Sequence, residues 1–162
     1  MLVSFDSLED TSRIWIYQSN RSFSNDEVQK ISDKTELFIA NWKRHGDELK
    51  ASYLVKYNQF IIIAVDEDYN DISGCSIDAS VNLMKQLEKE FGVDLTNKLN
   101  VSFKDQDNIN IVSLADFQNY AKQHKITSST VVFNNMVTMK ADLIENWEVA
   151  ADKSWHKRFL IS

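Results

Sequence analysis

Cys75 is the only cysteine of the chain and stands between Gly74 and Ser76 in the stretch DISGCSIDAS, Asp71 to Ser80. A lone thiol in a polar loop is the first group to read for nucleophilic chemistry. A thiolate at neutral pH needs a helix N-terminus or a cationic neighbour. If Ser76 or Asp78 caps the helix that follows, Cys75 lies beside that helix's unpaired N–H groups, where the dipole favours the ionised form. A cysteine enzyme also needs a base, and the histidines are His45, His124 and His156. His45 and His124 each follow a predicted helix end, where a cationic or hydrogen-bonding side chain complements the dipole. The catalytic set for acyl transfer or thiol chemistry is therefore Cys75 with His156, oriented by Asp78. Against it, Asp66, Glu67, Asp68, Asp71 and Asp78 surround the loop with negative charge and favour the neutral thiol. Free cysteine is also among the most commonly buried residue types.

The same loop supports a binding reading without catalysis. The three glycines are Gly46, Gly74 and Gly92. Gly46 and Gly92 follow predicted helices, as C-terminal caps do, which leaves Gly74 as the one glycine without a local role. A non-catalytic binding or regulatory domain, with its site in the Ser73 to Asp78 loop, is the principal expectation, for a protein or small-molecule ligand. Ser73, Gly74 and Ser76 would line the site. Arg21, in the polar cluster Gln18-Ser19-Asn20-Arg21, offers a planar fork for a carboxylate or phosphate, and Trp155 an aromatic surface.

The glycine positions also exclude chemistry. Neither a phosphate loop, G-x-x-x-x-G-K-[ST], nor a dinucleotide motif, G-x-G-x-x-G, can be written from them, so P-loop ATP hydrolysis is rejected. Asp66, Asp68 and Asn70 begin like a calcium loop, but Asp71 replaces its glycine and Ile77 its bidentate glutamate. One cysteine and three scattered histidines lack zinc spacing. No metal or cofactor site is expected.

The segments RIWIYQSNR, SGCSIDAS and SWHKR resemble a family of small bacterial proteins commonly labelled "ABC transporter ATPase". The similarity runs along most of the chain. It implies a third function, an accessory subunit beside a transporter or other larger complex; ATP hydrolysis does not follow, because the phosphate loop is missing.

Bulk properties bound the rest. A chain of 162 residues, 43% apolar and 11% aromatic, has the material for one ordinary folded domain, 1–162. Its net charge of −6 repels phosphate backbones and anionic membranes, so no nucleic-acid binding is expected. The best candidate for a local basic patch is Lys153, His156, Lys157 and Arg158, with Trp155 among them, read as a solvated terminal segment. The longest apolar run, Phe60 to Val65, is far short of the ~20 residues a bilayer span requires, and no membrane insertion is expected. Met1 to Asp6 shows no basic-then-apolar leader pattern, and a single cysteine suits a reducing compartment; the expected location is cytoplasmic.

These candidate residues depend on the elements that carry them. Arg13 to Tyr17 reads as the first strand. Ser24 and Glu27 form a capping box, and Val28, Ile31, Thr35, Phe38 and Trp42 fall on one face of a helix ending at Lys43 to Gly46. Leu49 to Tyr57 and Phe60 to Asp66 read as strands joined at Asn58-Gln59, the second continuously apolar and therefore central. A second helix carries Val81, Met84, Leu87 and Phe91. Leu99 to Phe103 and Ile109 to Val112 pair as strands, and Ser113 to Asp116 opens a third helix. Asn134-Asn135 suits a hairpin turn between Thr130–Phe133 and Met136–Met139, before a short helix from Lys140 to Glu148. The pattern predicts an α+β fold with a mixed or mainly antiparallel sheet of about five to seven strands and three to four helices.

Overall fold

Phe60 to Val65 is the segment around which the first half of the chain is organised, since all six of its residues are buried. The computed structural model describes residues 1–67 and 74–161. It is an α+β fold, with four α-helices and antiparallel sheets of three, two and four strands among the described residues. Two compact units divide it: Met1–Thr96 with Thr138–Lys140, and Asn97–Val137 with Ala141–Ser162.

In the first unit, β1 (Arg13–Gln18) leads to α1 (Asn25–Ala40), whose N-terminus carries the full capping box between Ser24 and Glu27. The short strands β2 (Lys43–Arg44) and β3 (Asp47–Glu48) form a small hairpin, followed by β4 (Ala51–Lys56), β5 (Phe60–Val65) and α2 (Gly74–Phe91). The strand order is β1-β5-β4, both pairs antiparallel, so the apolar β5 is central as its composition predicts. Ile61, Ile63 and Val65 face a core shared with Ile31 and Ile39 of α1 and Leu83, Met84 and Leu87 of α2. Each fully buried isoleucine there contributes about 2 kcal/mol of burial energy.

Several local expectations change. α1 stops at Ala40 rather than continuing to Gly46, and Asn41 is its C-cap. Lys43 to Glu48 forms a hairpin because His45 (φ 50°) and Gly46 (φ 89°) both take the left-handed region that a two-residue type I′ turn needs. Trp42, expected on the helix face, lies past the helix end yet stays buried. The β4–β5 turn is centred on Tyr57 and Asn58, both at positive φ, one residue earlier than the sequence suggests. Gly92 does follow its helix at φ 63°, as expected of a C-terminal cap.

The N-terminal segment and Thr138–Lys140 finish this unit. Leu2 forms a parallel bridge with Ala51, and Met139 an antiparallel bridge with Arg13. Lys140 is buried, and its Nζ donates to the carbonyls of Leu8 at 2.6 Å and Asp6 at 3.2 Å, pinning the 3-10 turn Phe5–Ser7.

The second unit contains β6 (Asn100–Asp105), β7 (Asn108–Ser113), α3 (Leu114–Lys122), β8 (Val131–Phe133), α4 (Lys140–Glu145, from its second residue on) and β9 (Glu148–Ala150). Its sheet has the order β7-β6-β8-β9. Ser113 caps α3, its hydroxyl accepting from the Asp116 amide. Here too one expectation is corrected: β8 pairs with β9 and not with Met136–Met139, because Asn134 folds its side chain onto the Met136 amide and turns the chain away from a hairpin. Glu148, predicted as the end of the short helix, begins β9 instead. Val101, Phe117, Ile126 and Val132 form the core, closed by Trp155, Phe159 and Leu160 from the C-terminal segment.

Candidate functional site

α2 begins at Gly74, so Ser76 and Asp78 lie inside the helix and neither caps it. Gly74 has no left-handed backbone, and a Cβ placed there would meet nothing within 4 Å. The unusual backbone expected at this glycine is absent, because the first turn of a helix asks only for ordinary negative φ. Cys75 is exposed on that first turn. Ser76 is buried and occupied: its hydroxyl donates to the Lys43 carbonyl at 2.9 Å, and its own carbonyl accepts from Trp42 Nε1 at 2.9 Å. Those two bonds dock the β2–β3 hairpin on the start of α2. Asp78 lies in the next turn and is exposed. Ser73, like Asp68 and Asp71, lies outside the described residues.

Arg21 is also occupied. Its two terminal nitrogens donate to both carboxylate oxygens of Glu27 at 2.8 Å, and it donates further to the carbonyls of Ser22 at 3.0 Å and Phe91 at 2.7 Å. A guanidinium closed in this way is a structural clamp rather than a free anion receptor. The Arg21 hydrogen bonds, with the Ser24 amide adding to them, hold the Glu27 carboxyl down to about 2.

His156 belongs to the second unit and is fully buried. Its ring stacks on Trp155 at 3.8 Å, lies 5.3 Å from Phe117, and is hydrogen-bonded through Nδ1 to Ser154 Oγ at 2.7 Å. Burial depresses its pKa to about 4, so the ring is neutral at pH 7. Cys75, by contrast, is a surface group of the first unit. Trp155 stands half-buried against the core of its unit.

A better-formed site lies on the first unit, at β4. As an outer strand of its sheet, β4 has one backbone edge turned away from β5. Ala51 uses that edge: its N–H donates to the Met1 carbonyl and its carbonyl accepts from Val3, each at 3.0 Å. Residues two and four positions on must turn their backbone groups the same way, since antiparallel ladders alternate. These are Tyr53 and Val55. The N-terminal segment leaves the edge at Ser4 to enter its 3-10 turn, and no hydrogen-bonded backbone partner meets Tyr53 or Val55 on this side among the described residues.

A groove of about 750 Å³ runs along this edge, within the usual range for ligand sites. One wall is Ser52 to Val55, a second is Leu2 to Asp6, and a third is Val28, Ser32 and Glu36 of α1. Those helical residues are spaced by four and so form one stripe. The Tyr53 hydroxyl donates to Glu36 Oε1 at 2.6 Å. Desolvation and the Glu36 carboxylate raise the Tyr53 pKa, which keeps the phenol protonated and the bond intact at neutral pH. Asp6 and Glu36 are the only charged residues of the lining, and both are acidic.

The sequence contained part of this site. Tyr53 and Val55 were legible as alternate positions of a half-buried strand, and Val28 as part of the α1 core stripe. Ser32 and Glu36 read as ordinary helix positions, and the open edge depends on strand order, which has no local signature.

Among the described residues, no group of three His, Cys, Asp or Glu side chains comes together in a way that could hold a metal ion, and no helix is long and apolar enough to cross a membrane. No protein family, no curated protein and no solved structure matches this chain.

Proposed function

We propose that the protein is a non-catalytic binding module whose recognition surface is the groove between α1 and the free edge of β4. The observation that carries this reading is the Tyr53–Glu36 pair. A 2.6 Å hydrogen bond holds a carboxylate in place at the wall of a groove whose apolar lining includes Leu2, Val3, Val28, Leu54 and Val55, beside Asp6 and three serines. Apolar walls with a few fixed polar groups are what small-ligand and peptide sites share. The reading keeps the binding function expected from the sequence and moves its surface, because Ser76 and Arg21 are engaged in holding the fold.

A random peptide library displayed against the purified full chain tests it. Peptides should enrich on the wild-type protein and not on Ser32→Trp, whose indole fills the groove from an intermediate-exposure position of α1. Equal enrichment on both proteins, or none on either, overturns the reading.

A further inference from the structure

Building on that binding reading, we infer that the occupant of the groove is an extended peptide segment that adds to β4 as a fourth strand and presents a lysine or arginine to Glu36. The first support is the unused backbone of Tyr53 and Val55. Each offers an outward N–H and C=O, and the two residues are about 7 Å apart along the strand, the repeat with which alternate residues of an incoming strand present their own donors and acceptors. Side-chain ligands need no such row; a strand does.

The second support is how little protects this edge. Exposed edges are ordinarily blunted by lysine, proline, a bulge or a covering loop. The chain has no proline, and from Ala51 to Val55 β4 carries no charge. Its one cation, Lys56, sits at the turn with its ammonium over the Tyr57 ring at 5.4 Å. The N-terminal segment covers the edge at Ala51 and then departs, held in that departure by Lys140 on the carbonyls of Asp6 and Leu8. The edge is thus covered at one end and open at the next two outward-facing positions.

Charge selects among extended partners. Asp6 and Glu36 face the groove with no cation in its lining. Tyr53 engages Glu36 Oε1 and leaves Oε2 for an incoming donor. A lysine or arginine side chain leaning from the added strand toward α1 meets that oxygen. An acidic segment is repelled, which is a source of specificity rather than of large affinity.

The experiment uses the most enriched peptide from the display selection, made in three forms: unmodified, N-methylated on alternate amides in each of the two registers, and with its basic residues changed to glutamate. With the full chain, the unmodified peptide should slow hydrogen exchange at the Tyr53 and Val55 amides. One N-methylated register should bind about tenfold more weakly while the other binds normally, since only one register faces the edge. Charge reversal on the peptide should weaken binding about threefold and be restored by Glu36→Lys, whose fold is checked by circular dichroism. If a groove-directed peptide is found but both registers tolerate methylation, or the two amides exchange unchanged, strand addition is wrong while the binding module stands. If the selection yields no groove-directed peptide, the binding reading has failed first. Concentration-dependent dimerisation abolished by Val55→Pro overturns the inference in a third way, by making a second copy the occupant of the edge.

Discussion

Arg21 and Glu27 meet through two parallel hydrogen bonds of 2.8 Å, and the same carboxylate accepts the Ser24 amide at 2.9 Å. Arg21 also reaches the Phe91 carbonyl at the end of α2, so one guanidinium ties the start of α1 to the end of α2. Replacing Glu27 by glutamine keeps an acceptor for the Ser24 amide and removes the charge. The expected loss is about 1 kcal/mol at pH 7, read by urea denaturation, because the pair is partly exposed and screened by solvent. The sign of the pH dependence follows from the depressed carboxyl. Its contribution is complete above the unfolded value of 4.5 and is lost as pH falls toward about 2. The stability gap between wild type and Glu27→Gln should therefore close across that window; a constant gap would mean that charge is not the cause.

The three glycines should respond differently to alanine. Gly46 and Gly92 have φ of 89° and 63°, where a Cβ is strained, so each substitution should cost about 1 kcal/mol. Gly74 has no such φ and open space where a methyl group would lie, and Gly74→Ala should fall within about 0.5 kcal/mol of wild type or above it. Thermal denaturation of the three variants decides it. A large loss at Gly74 would restore the idea of a special backbone there.

Cys75 is exposed, although free cysteine is among the most commonly buried residue types. A chromogenic disulfide reagent at pH 8 should modify it in the native protein at a rate close to that in concentrated urea. Cys75→Ser should change stability by less than about 0.5 kcal/mol. Labelling that requires unfolding would contradict the placement.

His156 provides a second pH signature in the other unit. Folding holds its pKa at about 4 against 6.5 for the free group, so the unfolded chain takes up a proton first. Its stabilising effect is complete above pH 6.5, declines by up to about 1.4 kcal/mol per pH unit between 6.5 and 4, and levels off below that. By proton NMR, the His156 ring signals should stay constant through pH 6.5 and move only near 4. A midpoint near 6.5 would show a ring open to water.

How far the sequence reached is clearest at the elements whose signals are local. The capping box at Ser24 and Glu27, the apolar run that became β5, the glycine after α2 and the serine that caps α3 were all legible, because each depends on neighbours within a turn or on continuous burial. The α+β class followed from the same signals. What only the tertiary structure decided was pairing and occupancy. β8 takes β9 as its partner over the nearer Met136–Met139, and the α1 periodicity extends past Ala40 into a hairpin, because distant partners outweigh local pattern. Arg21 looked like a free anion receptor until Glu27 and the Phe91 carbonyl, 70 residues away, were seen to close on it. Gly74 looked special only by elimination. The groove was hidden for the same reason: a residue's alternation is written in the sequence, but whether its outward backbone edge is paired or open depends on which strand comes to lie beside it, and for Tyr53 and Val55 none does among the described residues.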